Sequence, residues 1–162
     1  MTGRRLQGHL NDSNEMTQHT DSKGGRLLRR SVTLRNELDQ MSRLSAFVDR
    51  LSELACLDEQ TRSQIDLALD ELVANVVSYA YPESQPGKVR IEARLRGRVL
   101  TLVLTDRGRP FDPTAVEEPD ITLDVEDRPI GGLGIFLVRQ VMDDVQYRRR
   151  DDKNVLTLRK QL

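Results

Sequence analysis

The chain has one cysteine, two histidines and no tryptophan in 162 residues. Cys56 by itself cannot close an internal disulfide, and with His9 and His19 the only imidazoles no zinc cluster can form. Aromatic side chains are 4% of the chain against 37% hydrophobic residues overall, so the core has to be aliphatic. No apolar run approaches the ~20 residues of a membrane-spanning helix. The N-terminus lacks the apolar heart of a signal peptide, and a cytoplasmic protein without a membrane partner is expected. Neither charge dominates: the net value of −1 argues against a general polyanion binder. Arg148-Arg149-Arg150 is the only contiguous basic triplet, read as an exposed turn or strand end rather than a nucleic-acid contact. No Gly-Lys-Ser or Gly-Lys-Thr occurs, which excludes a Walker loop.

The length suits one domain. Residues 1–25 are polar and nearly free of large apolar side chains, so they are expected to form a disordered tail, with His9 and His19 solvated in it. Residues 26–162 carry the pattern of a folded domain. Leu27 to Leu34 reads as a strand. Leu38, Met41, Leu44, Val48, Leu51 and Ala55 then recur three or four apart, one face of a helix, with Cys56 expected as a small core residue at its end. Asp58 is placed to cap a second helix whose stripe is Ile65, Leu69, Leu72, Val76 and Ala80, ending before Pro82. Val89 to Leu95 alternates with Arg90, Glu92, Arg94 and Arg96, a strand with one wet face. Gly97-Arg98 is a turn, and Val99 to Thr105 is a nearly all-apolar central strand. Two closing strands, 144–150 and 155–160, flank a turn over Asp151-Asp152-Lys153-Asn154. The order β-α-α-β-β-loop-α-β-β predicts an α+β, two-layer sandwich with a mainly antiparallel sheet and its helices on one face.

Three segments carry chemistry. Glu71 and Asn75 stand i and i+4 on the second helix and project together beside its buried stripe. An amide oxygen such as that of Asn75 suits Mg²⁺, which prefers hard oxygen ligands. A carboxylate at Glu71 can take a proton from a hydroxyl attacking a phosphate. The plainer alternative is a solvated helix acid, since Glu-x-x-x-Asn is common by chance. Asp106 closes the apolar strand, where it can accept a hydrogen bond from the exocyclic amine of adenine; guanine would oppose it with an oxygen. Gly108 lets the backbone approach a base closely, unless the pair is an ordinary Asp-x-Gly turn. Gly131-Gly132-Leu133-Gly134 opens a helix in which Ile135, Val138 and Met142 share a face, and its free N–H groups form an anion site. Such a helix entry can also serve without a ligand.

Between Asp106 and Gly131 lies a stretch with Pro110, Pro113, Pro119 and Pro129 and many acids. A connection of this length is often a lid, expected to stay mobile until nucleotide orders it. Arg107, Arg109 or Arg128 offers the cationic contact that a lysine-free loop lacks, and the sequence does not choose among them.

Together the three segments resemble the GHKL ATPases of the Bergerat ATP-binding fold. Glu71-x-x-x-Asn75 is similar to their N box, Asp106-x-Gly108 to the first glycine box, and Gly131-Gly132-x-Gly134 to the second. More narrowly, LALDELVANVVSYAYP, LTDRGRPFDP and GGLGIFLVRQVMDDVQY resemble the anti-sigma factor serine/threonine-protein kinases, the switch-protein kinases of partner-switching systems. The resemblance covers about Leu27 to Leu162. It implies that Asn75 holds Mg²⁺, that Glu71 is the base or orients the attacking hydroxyl, and that Asp106 binds adenine. Gly108 and the run Gly131, Gly132, Leu133 and Gly134 would shape the ATP pocket and phosphate loop. It further implies a kinase acting on a STAS-domain anti-anti-sigma partner, sequestration of a sigma factor as a second role, and a homodimer. The alternative is a non-catalytic, ATP-gated binding regulator of another target. Pro110-Phe111 departs from the further glycine that many superfamily members carry at that point.

Overall fold

The computed structural model describes residues 16–20, 26–83, 85–116 and 133–162. Its elements in chain order are β1 (Met16–Thr20), β2 (Arg26–Arg35), a 3₁₀ turn (Leu38–Gln40), α1 (Met41–Ala55), α2 (Glu59–Asn75) and a π-helical turn (Val76–Ala80). There follow β3 (Lys88–Arg96), β4 (Val99–Asp106), α3 (Leu133–Val141), β5 (Asp144–Arg150) and β6 (Lys153–Gln161). The six strands form one antiparallel sheet in the order β1-β2-β3-β4-β6-β5. The predicted α+β sandwich is therefore the observed one, with β4 internal and hairpins linking β3 to β4 and β5 to β6.

Strand period builds the buried face. Val89, Ile91, Ala93 and Leu95 of β3 are buried while Arg90, Arg94 and Arg96 are exposed. Leu100, Leu102 and Leu104 of β4 continue that face, as do Leu156 and Leu158 of β6. Helix α1 lays Leu44, Val48 and Leu51 against it, α2 contributes Ile65, Leu69 and Leu72, and α3 adds Ile135 and Val138. The side chains of Leu44, Leu51, Ile65, Leu69, Ile91 and Leu102 are wholly inaccessible, so truncating any of them to alanine removes ~2–5 kcal/mol. Asp58 caps α2 as predicted, its carboxylate accepting from the Thr61 N–H at 2.7 Å.

Four expectations are corrected. Part of the polar tail is ordered: residues 16–20 pair with β2 through backbone hydrogen bonds, which need no apolar side chain. The rest of residues 1–25 lies outside the described residues. Leu38 leaves the apolar stripe and is 72% exposed, because the tighter 3₁₀ turn rotates it off the face that α1 buries. Cys56 is exposed, since the left-handed backbone that ends α1 (φ 55°) turns it away from the core. The β5–β6 turn needs only Asp151 and Asp152, both at positive φ (50° and 57°), so Lys153 and Asn154 belong to β6 and Asn154 is buried. Most of the stretch read as a lid, residues 117–132, lies outside the described residues.

Candidate nucleotide site

The inward phase of β4 does not stop at its last leucine. Leu100, Leu102 and Leu104 are followed two residues on by Asp106, only 7% exposed. A carboxylate at that depth needs donors, and it has two on one oxygen. Oδ1 accepts the Gly108 N–H at 2.7 Å and the Asn154 Nδ2 at 2.9 Å. Both bonds fall on Oδ1, which fixes the carboxylate plane and leaves Oδ2 for the adjoining cavity.

Asn154 faces Asp106 directly across the β4–β6 pair. Its amide is saturated: Nδ2 also donates to the Arg109 carbonyl (2.9 Å), while Oδ1 accepts from the Tyr147 hydroxyl (2.8 Å) and Arg149 Nη1 (3.0 Å). Arg149 donates in addition to the Gly108 carbonyl at 3.0 Å. The loop after β4 is thus clamped from the sheet side by β5 and β6. From the helix side the Arg109 N–H reaches the Ala80 carbonyl (2.7 Å), and the Arg107 N–H reaches the Tyr81 hydroxyl (3.0 Å).

Gly108 sits where those two sides meet. A Cβ there would stand 2.5 Å from both the Cβ and the carbonyl oxygen of Ala80. Because that neighbour is backbone, Gly108→Ala has to push the loop off the π-helical turn. The expected cost is ~1–3 kcal/mol of stability together with weaker nucleotide binding, read by thermal unfolding and by ATP titration.

The π-helical turn was not foreseen. The widened turn begins immediately after Asn75 and carries Val76, Tyr79 and Ala80 to the cavity. The cavity has a volume of about 270 Å³, with Leu72, Leu104 and Ile135 on its walls and Asn75, Asp106, Asn154 and the cationic Arg109 among its polar groups. Phe111 and Tyr79 are more than half exposed at its edge.

Glu71 and Asn75 are both half-buried on α2, as their i, i+4 spacing required. They divide the work. Asn75 lines the cavity, whereas Glu71 does not and turns toward the first turn of α3. A Cβ on Gly134 would run into the Glu71 carboxylate, so any side chain there displaces the tip of this acid. The site lies at the N-terminal end of α3, where free N–H groups favour an anion. Leu133 is the first residue of α3 and half exposed. Gly131 and Gly132 lie outside the described residues.

Burial pushes the Asp70 carboxyl above its ordinary value, and the charges of Asp66 and Glu71 add to the rise. The native state therefore holds this proton more tightly than the unfolded chain, and stability falls as pH rises from the ordinary value through the raised one. Asp70→Asn is expected to raise the melting temperature at neutral pH, with the gain vanishing in acid where the carboxyl is protonated in both states.

The donor set fits a nucleotide. A rigid acceptor at Asp106 beside an apolar slot suits a purine. A metal cage is not present: among the described residues no group of three or more His, Cys, Asp or Glu side chains converges. Asn75, on the cavity wall, carries a hard amide oxygen, a ligand type that Mg²⁺ accepts.

The histidine kinase-like ATPase domain family matches residues 34–160. The chain belongs to this family. It is similar to the serine/threonine-protein kinase BtrW of Bordetella bronchiseptica, 34% identical over 97 residues that make up 60% of this chain and 68% of that one. The serine-protein kinase RsbW of Halalkalibacterium halodurans is 33% identical over 100 residues, 59% of this chain and 60% of its own. The RsbW of Listeria monocytogenes is 30% identical over 86 residues, 51% and 55% respectively. The matched parts thus span between about half and two thirds of these relatives. No helix among the described residues is long and apolar enough to cross a membrane.

Three participants escaped the reading of the sequence: Asn154, Arg149 and Tyr81. Asn154 had a signal, since it falls in phase with Leu156 and Leu158 on an inward-facing strand where asparagine is out of place. Arg149 and Tyr81 had none, because their partners lie on β3, on β6 and in the loop after β4.

Proposed function

We propose that the chain is an ATP-dependent serine/threonine-protein kinase and anti-sigma factor of a partner-switching system, acting with Mg²⁺ on a serine or threonine of a STAS-domain anti-anti-sigma partner. The observation that carries this reading is the placement of Asp106, Asn75 and Glu71. Asp106, an acceptor for the base, and Asn75, an oxygen for the metal, line one cavity, and Glu71, one helical turn before Asn75, stands outside it with its carboxylate beside Gly134 in the first turn of α3. The names of the related kinases support the same activity.

In this reading Asp106 Oδ2 accepts from the adenine amino group. Its other oxygen is already saturated, so the acceptor is aimed before the base arrives. Guanine presents an oxygen at that point, and two acceptors repel. Asn75 would hold Mg²⁺, which compensates charge on the transferring phosphoryl group. Glu71, beside Gly134, accepts the proton of the attacking hydroxyl or orients it. Gly108 and the run from Gly131 through Leu133 to Gly134 shape the base pocket and phosphate loop. Phosphoryl transfer needs mainly positioning, which so sparse a set of groups can supply. A homodimer and sequestration of a sigma factor belong to the same proposal.

The test is incubation of the chain with ATP, Mg²⁺ and STAS-domain proteins encoded near its gene, followed by detection of phosphoserine or phosphothreonine. Transfer to one of them supports the kinase. ATP binding with no transfer to any supports instead an ATP-gated regulator without catalysis.

A further inference from the structure

The face of the sheet turned away from the helices is uncovered by any described element, and its charge is one-sided. In a chain of net charge −1, the outward residues of strands β2 to β6 include only two carboxylates. Glu92 is bonded to Arg90 (2.8 Å) and Arg94 (2.9 Å), and Asp144 lies 3.3 Å from Arg159. Cations meet cations across the strands: Arg29 opposes Arg94, Arg35 opposes Lys88, and Arg150 opposes Lys153. Like charges directly opposite one another destabilise a sheet, and here Arg94, Arg35 and Arg150 offset part of that by also pairing with Glu92, Glu37 and Asp151.

Between the arginines runs a different stripe. Thr101, Val103 and Thr105 of β4 and Val155 and Thr157 of β6 are half-buried and side by side. Arg90 and Arg94 on β3 flank it on one side and Arg148 on β5 on the other. β3 and β5 are three strand spacings apart, about 14 Å. An α-helix with its side chains is ~10–12 Å across and fits between them.

We propose that this face docks an amphipathic helix of a partner protein, its apolar stripe on Val103 and Val155 and its flanking carboxylates on Arg90, Arg94 and Arg148. A second copy of this chain does not fit face to face, because it would set cations against cations. Single-stranded nucleic acid is disfavoured because its bases stack on aromatics. Tyr147, the one aromatic in the described strands β2 to β6, is on the other side of the sheet, where it bonds Asn154. The surface is separate from the nucleotide cavity and is independent of the kinase proposal.

The test uses the whole 162-residue chain and a labelled synthetic helix with valine and leucine on one stripe and glutamate on both flanks. The controls are a scrambled peptide of equal composition and a thymidine oligonucleotide of equal charge. The double variant Arg29→Glu with Arg148→Glu is chosen because a carboxylate at position 29 would face Arg94 and replace a repulsion by a pair. Its melting temperature is expected to stay level or rise and its ATP affinity to be unchanged. Its affinity for the helix is expected to fall tenfold or more. Equal binding by variant and wild type overturns the proposal. So does a scrambled peptide or oligonucleotide that binds as tightly as the patterned helix. A change in the variant's oligomeric state by sedimentation overturns it in favour of an interface between copies.

Discussion

Glu71→Ala is expected to lower the rate of phosphoryl transfer by ~10²–10⁴ while leaving ATP affinity within a few-fold of wild type. The split follows from geometry. Glu71 does not line the base cavity, and its carboxylate packs against Gly134 in the first turn of α3. Removing it leaves Asp106, Asn154 and the apolar walls untouched. Alanine also reduces like-charge repulsion on Asp70, so the variant should fold at least as well as wild type. Glu71→Gln keeps the side-chain volume but cannot accept a proton, and it should be as inactive as the alanine variant if the residue is a base. Full activity in Glu71→Gln with loss in Glu71→Ala would instead assign it an orienting role. The measurements are the initial rate of phosphoserine formation on the partner and an ATP titration in the same buffer. A Glu71→Ala variant that transfers phosphate at the wild-type rate removes this residue from the mechanism.

Asp106→Asn should both weaken ATP binding and change which purine is preferred. The asparagine oxygen can still accept from the Gly108 N–H and Asn154 Nδ2, the two bonds that orient the native side chain. Its amide nitrogen then takes the place of Oδ2 and offers a donor to the cavity. Against adenine's amino group this sets donor on donor, and against guanine's oxygen it sets donor on acceptor. Loss of a hydrogen bond to a charged group is worth ~1.5–3 kcal/mol, so ATP affinity should fall by roughly ten- to a hundredfold while GTP gains relative to it. Asn154→Leu removes the clamp rather than the acceptor, and should weaken ATP binding in the same direction without favouring GTP. Competitive titration of ATP and GTP against all three proteins checks the set. GTP binding as tightly as ATP in the wild type would refute the role given to Asp106.

How legible was this arrangement in the chain? The helices and strands were, wherever a period ran long enough. Ile65, Leu69 and Leu72 announce α2, and the alternation from Val89 to Leu95 announces β3 with its wet arginines. The pair Glu71 and Asn75 was legible as a pair, since 3.6 residues per turn puts i and i+4 on one side of any helix. Illegible were the features that depend on another element's backbone. Leu38 has an apolar side chain in helical spacing, yet a three-residue turn of different pitch puts it in water. The strand at residues 16–20 has almost no hydrophobic signal, because an edge strand can be held by backbone hydrogen bonds alone.

The sequence by itself determined the periodicity of the elements, the aliphatic core and the presence of an acid, an amide and two glycine boxes in a given order, because these depend on local spacing and side-chain chemistry. Only the tertiary structure decided that Asp106 is held by Asn154 and Gly108 through one oxygen, that Glu71 faces α3 while Asn75 faces the cavity, and that arginines from β2, β3, β5 and β6 share one open face. Those facts require strands distant in the chain to lie in register, and register is set by the packing of the whole sheet against its helices.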